Sequence, residues 1–184
     1  MFKEDPSNEM QTHRLAAEKG SAEAQFHLGE CYLTGQGVAQ DYAEAVKWFK
    51  LAAEQRFAKA QCNLGNACRT GQGVAQDITE AFHWTQLAAN QGLVGAQNNL
   101  GVMYEYGEGV AQNIIEAFRW TQLAAEKGYA KAQYRLGSMY TNGKGVPRNK
   151  AEAATWFQLA AEQDIHGAQS ALDSLHITGY QESL

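Results

Sequence analysis

The sequence predicts an all-α chain of stacked helical hairpins, and three observations carry that reading. All four tryptophans, Trp48, Trp84, Trp120 and Trp156, stand 36 residues apart. The same interval links Leu28, Leu64, Leu100 and Leu136, and the glycines Gly29, Gly65, Gly101 and Gly137, with no insertion between copies. Third, the 184 residues include 30 Ala and 18 Gln but only 2 Pro, a bias towards helix formers and away from β-branched residues. Self-similarity at a fixed period signals a solenoid, because one hairpin cannot bury both of its apolar faces alone.

Taken in order, residues 5–21 read as a half repeat. Asp5 falls at an N-cap and Pro6 at the first helical position, giving a B helix without its A partner. Its Ala and Trp slots are Glu9 and Thr12, polar as an end cap should be. The first full repeat, 22–57, opens with helix A, about Ala22 to Thr34, which sets Ala24, Leu28, Cys31 and Tyr32 on one stripe. Gly35-Gln36-Gly37-Val38 breaks it. Helix B begins at Asp41, whose counterparts are Asp77, Asn113 and Asn149, with Glu44, Glu80, Glu116 and Glu152 three residues on. That is a capping box, the cap accepting from first-turn N–H groups and the Glu reaching back. Helix B ends near Gln55. Gly20, Gly92 and Gly128 are its C-terminal stops, and Arg56 and Asp164 depart from that column. Repeats 58–93, 94–129 and 130–165 follow the same plan. A last A helix, about His166 to Thr178 within 166–180, has no B partner and carries Asp173 and His176 in the Gly and Tyr columns. Gly29 and its equivalents in mid-helix cost roughly 1 kcal/mol each, which close approach of a neighbouring helix would offset. Ala45, Ala81, Ala117 and Ala153 supply the small facing residues and the Trp column the bulk.

Fifteen Lys+Arg against twenty Asp+Glu give a net charge of −5, which speaks against nucleic acid, since phosphate binding needs a dense basic stripe. The charged start has no apolar core of a signal peptide, and no run reaches the roughly 18 apolar residues of a membrane helix. Three cysteines, Cys31, Cys62 and Cys68, make a disulfide framework improbable and suit a reducing cytoplasm.

The pattern Ala-x-Ala-Gln-x-x-Leu-Gly-x-x-Tyr-x-x-Gly-x-Gly-Val, then Asp-x-x-Glu-Ala-x-x-Trp-x-x-x-Ala-Ala, resembles the Sel-1-like repeat family, relatives of the tetratricopeptide repeat with a longer loop between helices. The resemblance runs from about Asp5 to Gly179, and Cys68 departs from it where the other copies have Tyr32, Tyr104 and Tyr140. It implies a bacterial-type adaptor that holds protein partners together and shares no catalytic residues with its relatives. Some secreted relatives carry paired cysteines and are linked to cell-wall or β-lactam binding; this chain lacks those pairs. The reading is therefore an all-α, right-handed α-solenoid of about ten helices in a single domain.

Motifs present in every copy are architecture, so Gly35-x-Gly37 is no phosphate loop; it lacks a third glycine and a following Lys-Ser/Thr. The five histidines form neither His-Glu-x-x-His nor a Cys/His zinc spacing, so neither catalytic residues nor a metal or cofactor is expected. Cys31 and Cys68 fall in core columns, and Cys62 in a more exposed one. Private information lies in the columns that vary on the A-helix face opposite Leu28 and Tyr32. There Phe26, Tyr106 and Tyr134 read as aromatic anchors, and Asn98, Lys131 and Arg135 as polar contacts, the equipment of a groove for a protein or peptide. In tetratricopeptide carboxylate clamps, Asn residues on two repeats and a Lys/Arg pair on a third grip a peptide C-terminus. Asn66, Asn99, Lys131 and Arg135 fall in similar columns, though Cys62 stands where the first clamp lysine would be. The four full repeats carry charges of −2, 0, −2 and +2, which adds an acidic segment to the expected partner's chemistry. Two rivals stand beside this monomeric protein-binding reading: binding or hydrolysis of cell-wall fragments or β-lactams, which only the resemblance to secreted relatives implies, and end-to-end self-association.

Overall fold

A computed structural model of the chain describes residues 6–181, with side chains from 11 to 175 except 12. The expectations for Asp5, Glu9, Thr12 and His176 therefore lie outside the described residues or side chains. The helices are α1 (Pro6–Glu18), α2 (Ala22–Thr34), α3 (Tyr42–Glu54), α4 (Ala58–Thr70), α5 (Ile78–Asn90), α6 (Val94–Tyr106), α7 (Ile114–Glu126), α8 (Ala130–Asn142), α9 (Lys150–Ala161) and α10 (Ala168–Gln181), with no strand among the described residues. Two compact units result, Met1–Leu93 and Val94–Leu184. In the first, α1 packs on α2, α2 on α3, α3 on α4 and α4 on α5; in the second the same succession runs from α6 to α10. The last helix starts at Ala168 and not near His166, because Gly167 takes a left-handed φ of 83° that no helix accommodates.

Helix starts are set by the Asp/Asn column. Asp41 Oδ1 accepts from the N–H groups of Ala43 and Glu44, Asp77 from Glu80, Asn113 from Ile115 and Glu116, and Asn149 from Ala151 and Glu152. The reciprocal half of the capping box is absent among these helices, which corrects the expectation. Each cap N–H is already taken, donating to the carbonyl of Tyr32, Cys68, Tyr104 or Tyr140 on the preceding A helix at 2.9–3.0 Å. The freed glutamates turn along their own helices: Glu44 accepts from Lys47, Glu80 from Trp84 Nε1 and Glu116 from Arg119.

Close approach explains the mid-helix glycines. A Cβ on Gly29 would lie 2.6 Å from the Phe49 ring and 3.2 Å from the Ala45 carbonyl, and one on Gly101 would lie 2.7 Å from Thr121 Oγ1. The facing bulk is thus the column Phe49, Thr85, Thr121 and Phe157, all buried, while the tryptophans are half-buried. At the B-helix ends, Arg56 and Asp164 adopt φ of 66° and 58°, the left-handed turn that Gly20, Gly92 and Gly128 make without a Cβ. A buried glutamine column adds polar ties. Gln25 donates to Ala17 O at 3.1 Å and accepts from Gln55 at 2.7 Å, joining three successive helices. Gln61 with Gln91, and Gln133 with Gln163, repeat the arrangement.

Candidate functional site

In the first unit the A-helix side opens into a cavity of about 160 Å³ between α2 and α4, floored by α3. Leu33, Ala45, Val46 and Phe49 supply apolar lining, and Asn63 and Asn66 line it as well. The two asparagines lie three residues apart on α4, hence on one face. Their side-chain amides are half-buried and make no hydrogen bond within the chain among the described residues. Thr70 Oγ1 donates to the Asn66 carbonyl at 2.9 Å, and Gly71, at φ 75°, ends α4 just beyond.

In the second unit the A-helix side carries charge. Glu105, near the end of α6, is only 6% exposed. Arg135 Nη1, from the middle of α8, donates to its Oε2 at 2.6 Å. Lys144 Nζ, from the turn after α8, donates to Oε1 at 2.9 Å. Left-handed Gly143 and Gly145 flank Lys144 in that turn. Burial works to raise the Glu105 carboxyl, but the hydrogen bonds from Lys144 and Arg135 outweigh it and hold it below the ordinary carboxylate range. The same hydrogen bond raises Lys144 above the usual lysine value. Beside this triad Tyr106 is 62% exposed, and Lys131 is exposed at the start of α8.

These positions revise the anchors expected from the sequence. Phe26 is 4% exposed and packs its ring 5.1 Å from Phe57 and 5.9 Å from Phe49, so it is core and not a free anchor. The reason is the missing Cβ at Gly29, which lets α3 approach and brings Phe49 over α2. Asn98 is also buried, its Oδ1 without a hydrogen-bond partner among the described residues. Tyr134 is half-buried with its ring 5.5 Å from Phe157. Asn66 and Asn99 are half-buried, in the first and second unit respectively. Arg135, expected open for a clamp, is engaged by the chain's own Glu105. Sequence reasoning passed over Glu105, whose signal was its charge in a column otherwise filled by Leu33, Arg69 and Thr141.

Thiol chemistry finds little support. Burial, then the nearby Glu80 and Asp77, push the Cys68 thiol up to about 11, and burial also raises Cys62, which is half-buried and more open than buried Cys68; Cys31, expected in the core, is half-buried too. Among the described residues no disulfide joins Cys31, Cys62 or Cys68. Among the described residues no three His, Cys, Asp or Glu side chains gather to hold a metal ion, and no helix is long and apolar enough to cross a membrane.

The family model described as Sel1 repeat matches residues 22–57, 58–93, 94–129 and 130–165. The chain belongs to the Sel1 repeat family. Sel1 repeat proteins are generally non-catalytic, protein-interaction scaffolds. Several solved structures match most of the chain. One is c5321, a protective antigen of uropathogenic Escherichia coli strains displaying an SLR fold, 38% identical with a TM-score of 0.92. The match covers 97% of this chain and only 38% of that one. Another is a Sel1 repeat protein from Oxalobacter formigenes, 32% identical over 97% of this chain and 71% of that chain, with a TM-score of 0.87. An immunity protein from Pseudomonas aeruginosa, Pa5087, is 25% identical over 92% of this chain and 62% of that one, with a TM-score of 0.56. The comparison with curated proteins gave no match.

Proposed function

We propose that this Sel1 repeat chain is a non-catalytic module that binds a protein partner through its A-helix face, as a monomer in a reducing compartment. The observation that carries the reading is the face of the second unit. Exposed Tyr106 and Lys131 stand there with half-exposed Lys144, and the neighbouring carboxylate, Glu105, is already spent on Arg135 and Lys144. An aromatic side chain beside surplus cations suits an acidic partner segment carrying an apolar residue. A clamp on a C-terminal carboxylate is the less favoured form, because such a carboxylate would have to displace Glu105 from Arg135. The similarity to an immunity protein is consistent with a protein partner.

The test is affinity capture from native lysate with wild type beside Lys131→Glu/Tyr106→Ala. Both positions are exposed, so helical circular dichroism is expected to be unchanged. A specific protein captured by wild type should be lost with the double variant. Equal capture by both would move the site off this face. Tyr134 and Arg135 are poor choices for this purpose, since one packs on Phe157 and the other neutralises buried Glu105.

A further inference from the structure

The cavity in the first unit has a cause in the sequence. Ala67 lines it, and the same column holds Met103 and Met139 in the second unit, both buried. Val46 also lines it, where the next two copies have Phe82 and Phe118. Val46 and Ala67, at adjoining positions on α3 and α4, are thus smaller than the Phe and Met pairs of the next two copies, whereas the fourth copy has Ala154 and the facing Phe49 is larger than Thr85 and Thr121; the space left beside Phe49 opens at the surface.

Its size and lining narrow the occupant. About 160 Å³ is below the roughly 300–1,000 Å³ of drug-sized ligand pockets but close to the ~150 Å³ that admits a benzene ring. No charged side chain lines it, so a charged group would enter without a counter-ion. The unpartnered amides of Asn63 and Asn66, half-buried in the lining, offer paired donors and acceptors, the complement of a peptide backbone. We propose that this cavity seats one uncharged aliphatic or phenyl side chain of a partner polypeptide, with Asn63 and Asn66 hydrogen-bonding the backbone on either side of it. The inference rests on the A-face reading above and adds the chemistry of one partner residue.

The test uses the full-length protein labelled with ¹⁵N and two small probes, N-acetyl-leucine methylamide and N-acetyl-aspartate methylamide. The leucine probe should give saturable shifts of the Val46, Asn63, Asn66 and Ala67 amides, and the aspartate probe should not. Ala67→Met, which installs the side chain the second unit uses, should weaken the leucine response at least tenfold. Val46→Phe is the independent plug should Ala67→Met disturb the fold. Shifts that are absent, equal for the two probes, unaffected by either plug, or produced by raising protein concentration alone overturn the proposal. Because the readout needs no partner, it fails or succeeds separately from capture through Lys131 and Tyr106.

Discussion

Glu105 is the residue on which most depends in the second unit. A carboxylate this buried is tolerable only because two cations satisfy both of its oxygens. Its folded value lies below the ordinary 4.5, so the unfolded chain binds more protons in the acid range and stability falls as pH drops through that interval. Above it the contribution is complete. Glu105→Gln should cost about 1–3 kcal/mol at neutral pH, discounted because Lys144 is half exposed. The variant should also lose less stability than wild type between neutral and acid pH, measured by urea unfolding across that range; parallel pH profiles would sink the assignment. The sequence made Arg135 and Lys131 legible as cations but not which of them was already committed. That depends on a contact between residues 30 apart, a separation the 36-residue period does not announce.

At the scale of single helices, composition and period were enough to read nearly all boundaries, because in every full repeat Gly follows the A helix and Asp or Asn precedes the B helix. What stayed hidden was which partner each end group finds. The reciprocal glutamate contact failed because the cap N–H already had a carbonyl across the loop, and Phe26 sank into the core because α3 comes so close to α2. Two substitutions in α6 separate helix propensity from this packing. Gly95→Ala meets nothing within 4 Å and should gain up to about 0.5–1 kcal/mol. Gly101→Ala gains the same propensity but drives a methyl 2.7 Å from Thr121 Oγ1, and should lose roughly 1–2 kcal/mol net. Urea midpoints decide the pair, and a stabilised Gly101→Ala would show that the contact gives way.

Within each unit of the molecule, a helix packs mainly on its neighbours in sequence, which makes stability a sum of local terms. Leu136→Ala, at a fully buried position in α8, should cost about 2–5 kcal/mol. Hydrogen exchange should then rise in α7 to α9 while α2 to α4 keep their protection; an equal rise in both units would reveal one cooperative block. The repeat period made this modular plan visible from the chain alone, whereas the division at Leu93 and Val94 left no mark in the spacing. The glutamine ties extend the same logic to inheritance. Gln25, Gln61 and Gln133 each bond one helix behind and one ahead, so a copy carries both halves of its own coupling. A gene duplication or deletion that spans one whole period delivers a hook together with an eye, and such a chain can change its length link by link without inventing a new joint.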